Sequence, residues 1–385
     1  MSDLKFSDLS EQYEDFQYPL IKLIIDGTEL DEEQPLLVTA IDVEQTCGFE
    51  AGIATVTLVG PYNPDNRVFN IDKVKQFLYL GSTIIIYAGY STTAREIFRG
   101  FIARVHFVIP PPYVDSLPSV ELTCMDAKGL MMANRRSRRL KAKSYSEAVK
   151  EILNENVFLT QKDDKQQDFT TINVTDTPDK QEAENEQGTT DRRVEMVEES
   201  DYEFIVKAAK KFNFEFFIIG RNLYFIEARK NTNSLITLSP YSGLRSMDAG
   251  YDISGIVRSV EVRNIDMEEG KYLGDKKKAT SKISIGNKAK PLVEKQSLVY
   301  IDPTAKNKAD AGYRAQYLMD SIDYRLGSLN AEFVGVPEVV PGRFITLQGF
   351  GKPIDNDFYL TRVRHVVGNG DYRMILEGSA NSVGK

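Results

Sequence analysis

The sequence predicts a mainly β chain with an α+β middle section. Three observations carry this. Roughly the first 130 residues are a series of short runs rich in Ile, Val, Thr and Phe, each bounded by turn residues. Helix-start signatures followed by apolar residues at helical spacing gather in the middle of the chain. The last third returns to strand patterning and closes on a hairpin signal, Gly368-Asn369-Gly370.

In the first part, Leu20–Asp26, Leu36–Gln45, Ile53–Val59, Thr83–Tyr90, Glu96–Ile109 and Ser119–Met125 read as strands. Asp26-Gly27, Cys47-Gly48, Gly60–Pro64 and the run Pro110–Pro112 separate them, which suggests a sandwich or barrel. Ile71–Leu80 reads as a short amphipathic helix on the outside. In the middle, Ser144 and Glu147 stand three apart ahead of Ala148, Val149, Ile152 and Leu153, a capping box before an apolar helix face. Ser200 and Glu203 repeat the device ahead of Ile205, Ala208, Ala209 and Phe212, and Asn213 is a left-handed stop. Phe214–Ile219 and Leu223–Ala228 follow as a hairpin. The polar stretch near 160–195 reads as an insert, with Pro178–Gly188 as a mobile loop. Later, Gly255–Asn264 and Ala279–Ile285 read as strands with charged Met267–Lys278 as the loop between them. An external helix is expected near 305–325. Arg343–Gly349, Asp357–Val367 and Asp371–Glu377 read as the final strands. Period-2 alternation puts Val363 and His365 on one face and Arg362 and Arg364 on the other, so His365 is read as a half-buried sheet residue.

The chain has 385 residues, enough for two or three domains of about 100–200 residues each. Its formal net charge of −8 speaks against a main role on nucleic-acid backbone, which needs a basic surplus. The two cysteines, Cys47 and Cys124, form no C-x-x-C pair and read as small buried strand residues; with two histidines in the whole chain, a zinc site is not expected. No secretory signal is visible and no apolar run approaches the ~18 residues of a membrane span, so folding in a cytoplasm is expected. No nucleophile elbow, H-E-x-x-H or phosphate loop is present: in Gly349-Phe350-Gly351-Lys352 a proline follows the lysine. No catalytic residue, cofactor or metal ligand is therefore assigned. The basic run Arg135–Lys143 is read as a solvated strand or linker partly neutralised by acidic neighbours, the alternative being a patch for an acidic partner or nucleic acid.

Glu199-Ser200-Asp201-Tyr202-Glu203-Phe204-Ile205, the helix through Phe212 and the hairpin after it resemble the signature of the phage late control protein D family, shared with the hub portion of VgrG-type proteins. Gly335-Val336-Pro337, through Pro341-Gly342-Arg343-Phe344, resembles the family's turn into a strand. Phe358-Tyr359-Leu360 through Arg364-His365-Val366, with Tyr372, resembles its terminal hairpin. The Ser144–Leu153 helix sits where the family has a short helix.

The resemblance implies a structural baseplate hub of a contractile phage tail or tail-like particle, a homotrimer joining a hexameric tail tube to a trimeric central spike, and not an enzyme. It implies two tube-like β-barrel domains, residues 1–130 and 236–385, around a middle α+β domain, residues 131–235. The chain ends soon after the hub's final hairpin, so the spike is expected to be a separate polypeptide. Expected partners are copies of itself, the tube protein, the spike and other baseplate proteins, possible contact with the tape measure protein included. The residues expected to carry the motifs structurally are Ser144, Glu147, Glu199, Ser200, Asp201, Glu203, Phe204, Ile205, Phe212, Pro337, Pro341, Gly342, Tyr359 and His365. The alternatives are a tail-associated peptidoglycan hydrolase and a type VI-like effector-carrying adaptor.

Overall fold

The computed structural model describes residues 4–30, 36–111, 114, 116–163, 167–179, 194–265, 272–303, 305 and 308–384. The chain opens with α1 (Phe6–Gln12), then β1 (Pro19–Ile25), β2 (Thr28–Leu30), β3 (Leu37–Thr46), β4 (Ile53–Val59), the small hairpin β5 (Tyr62–Asn63) and β6 (Val68–Phe69), β7 (Thr83–Tyr90), β8 (Thr93–Val108) and β9 (Ser119–Met125). Period-2 patterning decides which face is buried. In β4, Ala54, Val56 and Leu58 point into the core while the residues between them do not. The expected helix over Ile71–Leu80 is instead two single 3-10 turns, Ile71–Lys73 and Lys75–Phe77. Neither has a side-chain cap, and one turn is too short to nucleate an α-helix; burial of Val74 and Phe77 holds them in place.

The middle section contains α2 (Lys128–Met131), β10 (Arg136–Arg139), α3 (Tyr145–Asn154), α4 (Val157–Thr160), β11 (Thr171–Val174), β12 (Glu195–Glu199), α5 (Asp201–Phe212), β13 (Phe214–Ile219) and β14 (Asn222–Glu227). β13 and β14 pair as a hairpin, and β11 lies parallel to β14. β10 of the basic run pairs with β12. Its arginines meet carboxylates: Arg135 with Glu203, Arg136 with Asp201, Arg138 with Glu155 and Arg139 with Glu195. The expected mobile loop Pro178–Gly188 lies outside the described residues from 180 onward.

The last third holds β15 (Ser234–Leu238), β16 (Leu244–Tyr251), β17 (Ser259–Ile265), β18 (Tyr272–Thr280), α6 (Lys290–Val293), β19 (Ser297–Ile301), α7 (Lys308–Asp323), β20 (Gly327–Val334), β21 (Phe344–Leu347), β22 (Asp357–Gly368) and β23 (Asp371–Ala380). The expected loop Met267–Lys278 is largely strand, because β18 pairs with β17 through Lys276–Lys278 opposite Arg263–Glu261. The expected strand Ala279–Ile285 stops at Thr280. The ladder to β17 thus forms five to seven residues earlier in sequence than apolar patterning suggests, on charged residues that such patterning assigns to a loop.

The expected pair of barrels is replaced by one sheet. Its order is β16-β20-β23-β22-β3-β4-β9-β8-β7-β1-β2, with β15 and β21 branching from β22, and no barrel closes among the described strands. The reason lies in β3. One of its edges pairs with β4 and the other with β22, from Thr46 opposite Arg362 to Ala40 opposite Gly368. The edge that would close a barrel instead joins the two ends of the chain. One apolar core consequently runs from Leu23 and Val56 through Val363 to Leu376. A second lies between α3, α5 and β13, and a third between β17 and α7.

Glycine is required at Gly335, just after β20. A Cβ there would come within 2.2 Å of the Tyr372 ring. That ring cannot yield, because it stacks on Tyr90 at 5.4 Å and its hydroxyl meets His365 Nδ1 at 3.0 Å. Gly335→Ala is expected to destabilise the protein by about 2 kcal/mol, the typical result of overpacking, read as a lowered denaturation midpoint.

Candidate functional site

The described residues bring the motif positions to two places: the first turn of α5, and the junction where the middle section meets the β3–β22 seam. At α5, the Ser200 hydroxyl accepts the Glu203 N–H at 3.0 Å, and the Glu203 carboxylate accepts the Ser200 N–H at 2.8 Å. That backbone bond holds the Glu203 carboxyl below the usual range. Asp201 is buried; its N–H donates to Asn134 Oδ1 at 2.9 Å, and its carboxylate accepts from Asn134 Nδ2 at 2.6 Å. Glu199 accepts from Lys207, eight residues further on, at 2.6 Å. Phe204 and Ile205 are fully buried. Phe204 stacks on Tyr145 of α3, and Phe212 packs between Tyr145 and Tyr313 of α7. Asn213 ends the helix in the left-handed region, and its amide reaches Asp320 of α7 at 2.6 Å. At α3, Ser144 accepts from Glu147 N–H at 3.3 Å, but Glu147 turns back one residue further than in a capping box, to the Lys143 N–H at 3.0 Å.

At the junction, Tyr359 of β22 is buried and donates its hydroxyl to Glu215 of β13. Burial pushes the Glu215 carboxyl up, against the pull of Arg229 and Tyr359. Arg229 lies over the rings of Tyr324, at 4.2 Å, and Tyr359, at 5.1 Å. Pro337 and Pro341 are buried, and Gly342 donates its N–H to Leu360 at 2.9 Å with φ of +79°. A Cβ on Gly342 would meet the Phe217 ring of β13 at 2.9 Å. Cys47 completes this cluster with Phe217, Phe344 and Tyr359; it sits just past the end of β3, whereas Cys124 lies within β9. A second polar contact lies nearby. Lys128 and Asp126 are both buried and 3.9 Å apart, and Lys128 also donates to the Glu50 carbonyl. Burial pushes the lysine down and the carboxyl up, and each charge opposes the other's shift. Sequence reasoning missed Glu215, Arg229 and the Asp126–Lys128 pair. Glu215 did leave a signal, as the one charge in Phe214-Glu215-Phe216-Phe217-Ile218-Ile219.

His365 is fully buried rather than half-buried, because β22 is an interior strand between β3 and β23 and its inward side chains lie in the core, where His365 meets Tyr372. Burial pushes its imidazole down to about 4. Arg362 and Arg364, on the opposite face, meet Glu44 at 3.1 Å and Asp42 at 2.7 Å across the seam.

A groove of 1040 Å³ lies between α5 and α7. Among its cations, Lys207, Lys211 and Arg314 are paired with Glu199, Asp310 and Asp302. Among the described residues no three His, Cys, Asp or Glu side chains gather to hold a metal, and no helix is long and apolar enough to cross a membrane.

Comparison with known proteins bears on this geometry. A family model described as "Alg8 N-terminal domain" matches residues 17–369. The chain belongs to that family. No curated protein gives a significant match. Among solved structures, the 43 kDa tail protein of prophage MuSo2 from Shewanella oneidensis superposes with a TM-score of 0.65 at 11% identity, over 94% of this chain and 98% of that one. A tail protein from Neisseria meningitidis MC58 gives 0.63 at 11% identity, over 94% and 97%. An E. coli component of the type VI secretion system, described as structurally similar to the T4 tail proteins gp27 and gp5, gives 0.52 at 12% identity, over 93% and 76%. This family member therefore has the mainly β fold of phage tail proteins.

Two outcomes are expected of these residues. Ser200→Ala should lower stability by about 1 kcal/mol through the lost cap, measured by denaturant unfolding. His365, with its pKa depressed on folding, contributes stability that is full above 6.5 and lost as pH falls toward about 4. Against wild type, His365→Gln should flatten the stability–pH curve across that window by about 3 kcal/mol.

Proposed function

We propose that the chain is a structural hub subunit of a contractile tail baseplate or tail-like particle, assembling as a homotrimer between a hexameric tube and a trimeric spike. The observation that supports this most is the fold: β-rich ends joined edge to edge into one sheet, superposing along nearly its whole length on a prophage tail protein of similar size. In this reading residues 1–130 and 236–385 are the two tube-like portions, which let three chains offer six similar units to a hexameric tube. Residues 131–235 are the part that braces them. Ser200 and Glu203 act by capping α5 inside the brace, and Gly342 and Tyr359 by fixing the brace to the seam. The role is structural rather than catalytic; the partners are other copies, tube, spike and neighbouring baseplate proteins, and assembly takes place in the bacterial cytoplasm.

Light scattering after size exclusion tests this. A trimer has about three times the 43.5 kDa of one chain, about 130 kDa. That mass, alone or on addition of the spike protein, is the expected result. A monomer that stays monomeric with the spike protein present would sink the proposal.

A further inference from the structure

The N-terminal segment touches strands from both parts of the chain, β15 on one side and β7 and β8 on the other. The Leu4 N–H donates to the Leu235 carbonyl at 2.8 Å, adding a single bridge to the outer edge of β15. Leu9 and Tyr13 are buried beneath α1. The Tyr13 hydroxyl then donates to Glu338 Oε1 at 2.7 Å, where Arg95 of β8 also arrives at 2.6 Å. One carboxylate oxygen thus gathers the N-terminal segment, the first half of the sheet and the turn before β21. The other oxygen, Oε2, is buried with no hydrogen-bond partner among the described residues.

The exit from this segment is strained. Glu14, Asp15, Phe16 and Tyr18 all have positive φ, between 48° and 60°, and none is glycine. Left-handed backbone disfavours L side chains. Tyr18 is 74% exposed, so its side chain returns little to offset that strain. α1 has only 7 residues and no side-chain cap. The segment is seated in the main core by Leu9 and Tyr13, by ring contacts of Tyr13 and Phe16 with Tyr90, and by polar contacts at Glu338 and Ser91, and it joins the sheet through a strained hinge.

We propose that residues 4–18 are a releasable strap, opening as a unit about Tyr18 while both halves of the sheet stay folded, and that opening uncovers the outer edge of β15. Opening breaks the Leu4 bridge and the Tyr13–Glu338 bond together, and it relieves the left-handed residues. This device does not depend on the assembly reading above, and either can fail alone.

Hydrogen–deuterium exchange on the full chain, read by mass spectrometry, tests it. Amides within residues 6–16 are expected to exchange at least about tenfold faster than those of β22, with little urea dependence, the mark of local rather than global opening. Glu338→Gln keeps the side chain's shape and removes the charge facing Arg95. It should raise the rate in residues 6–16 by a further tenfold or so with the thermal midpoint unchanged. Tyr18→Gly relaxes the hinge in the closed state and should slow that exchange. Exchange in residues 6–16 that matches β22, or rates that neither variant moves, would overturn the proposal.

Discussion

The structure depends on the pairing of β3 with β22. Seven residue pairs, from Thr46–Arg362 to Ala40–Gly368, bring the first and last parts of the chain into one sheet. Because side chains alternate faces, a slip of one residue would turn Val363 and His365 outward and put Arg362 and Arg364 into the core. Both sides of the seam oppose that slip: the inner face through fully buried Val43, Val363 and His365, the outer through the Arg362–Glu44 and Arg364–Asp42 pairs. The ion pairs are partly exposed and worth little as stability, at most about 1 kcal/mol each. Their contribution is register.

The middle section is fixed to this seam by groups that are costly to bury. Glu215 and Tyr359 face each other inside a cluster of Phe217, Phe344 and Cys47, and Lys128 sits fully buried against Asp126 and the Glu50 carbonyl. A buried ion pair is often no more stabilising than a well-packed apolar pair of the same volume. What it adds is a penalty on misplacement, since any shift of β13 along β22 leaves a buried carboxylate without its donor. Gly342 acts alongside by sterics, its missing Cβ being the space that the Phe217 ring occupies.

Much of the local structure was legible in the sequence because it is written locally. The cap at Ser200, the left-handed stop at Asn213, the hairpin after it and the strands of the first part all rest on neighbours within a few residues. What was not legible depends on distant partners. β22 becomes an interior strand because β3, more than 300 residues earlier in the chain, pairs with its second edge, and nothing in the alternation of β22 announces that second neighbour. The merging of two expected barrels into one sheet has the same origin. Glu215 stood out as a charge in an apolar strand, but its partners, Tyr359 and Arg229, come from a different sheet and from the far end of a hairpin, so its meaning could not be read from spacing.

The seam also sets a timetable for synthesis. Thr46 and Thr361 are 315 residues apart, so at about 5–20 residues per second β3 waits roughly 15 to 60 seconds on the ribosome for its partner strand. During that interval its outer edge is open, the state in which strands recruit unintended neighbours. The carboxylates Asp42 and Glu44 lie along that strand, facing away from the core. Before β22 is made they are unmatched negative charges on an exposed edge, which repels another nascent copy of the same edge. When Arg364 and Arg362 arrive, the same two residues become half of the register lock, so a single pair of side chains guards the edge first and closes it afterwards.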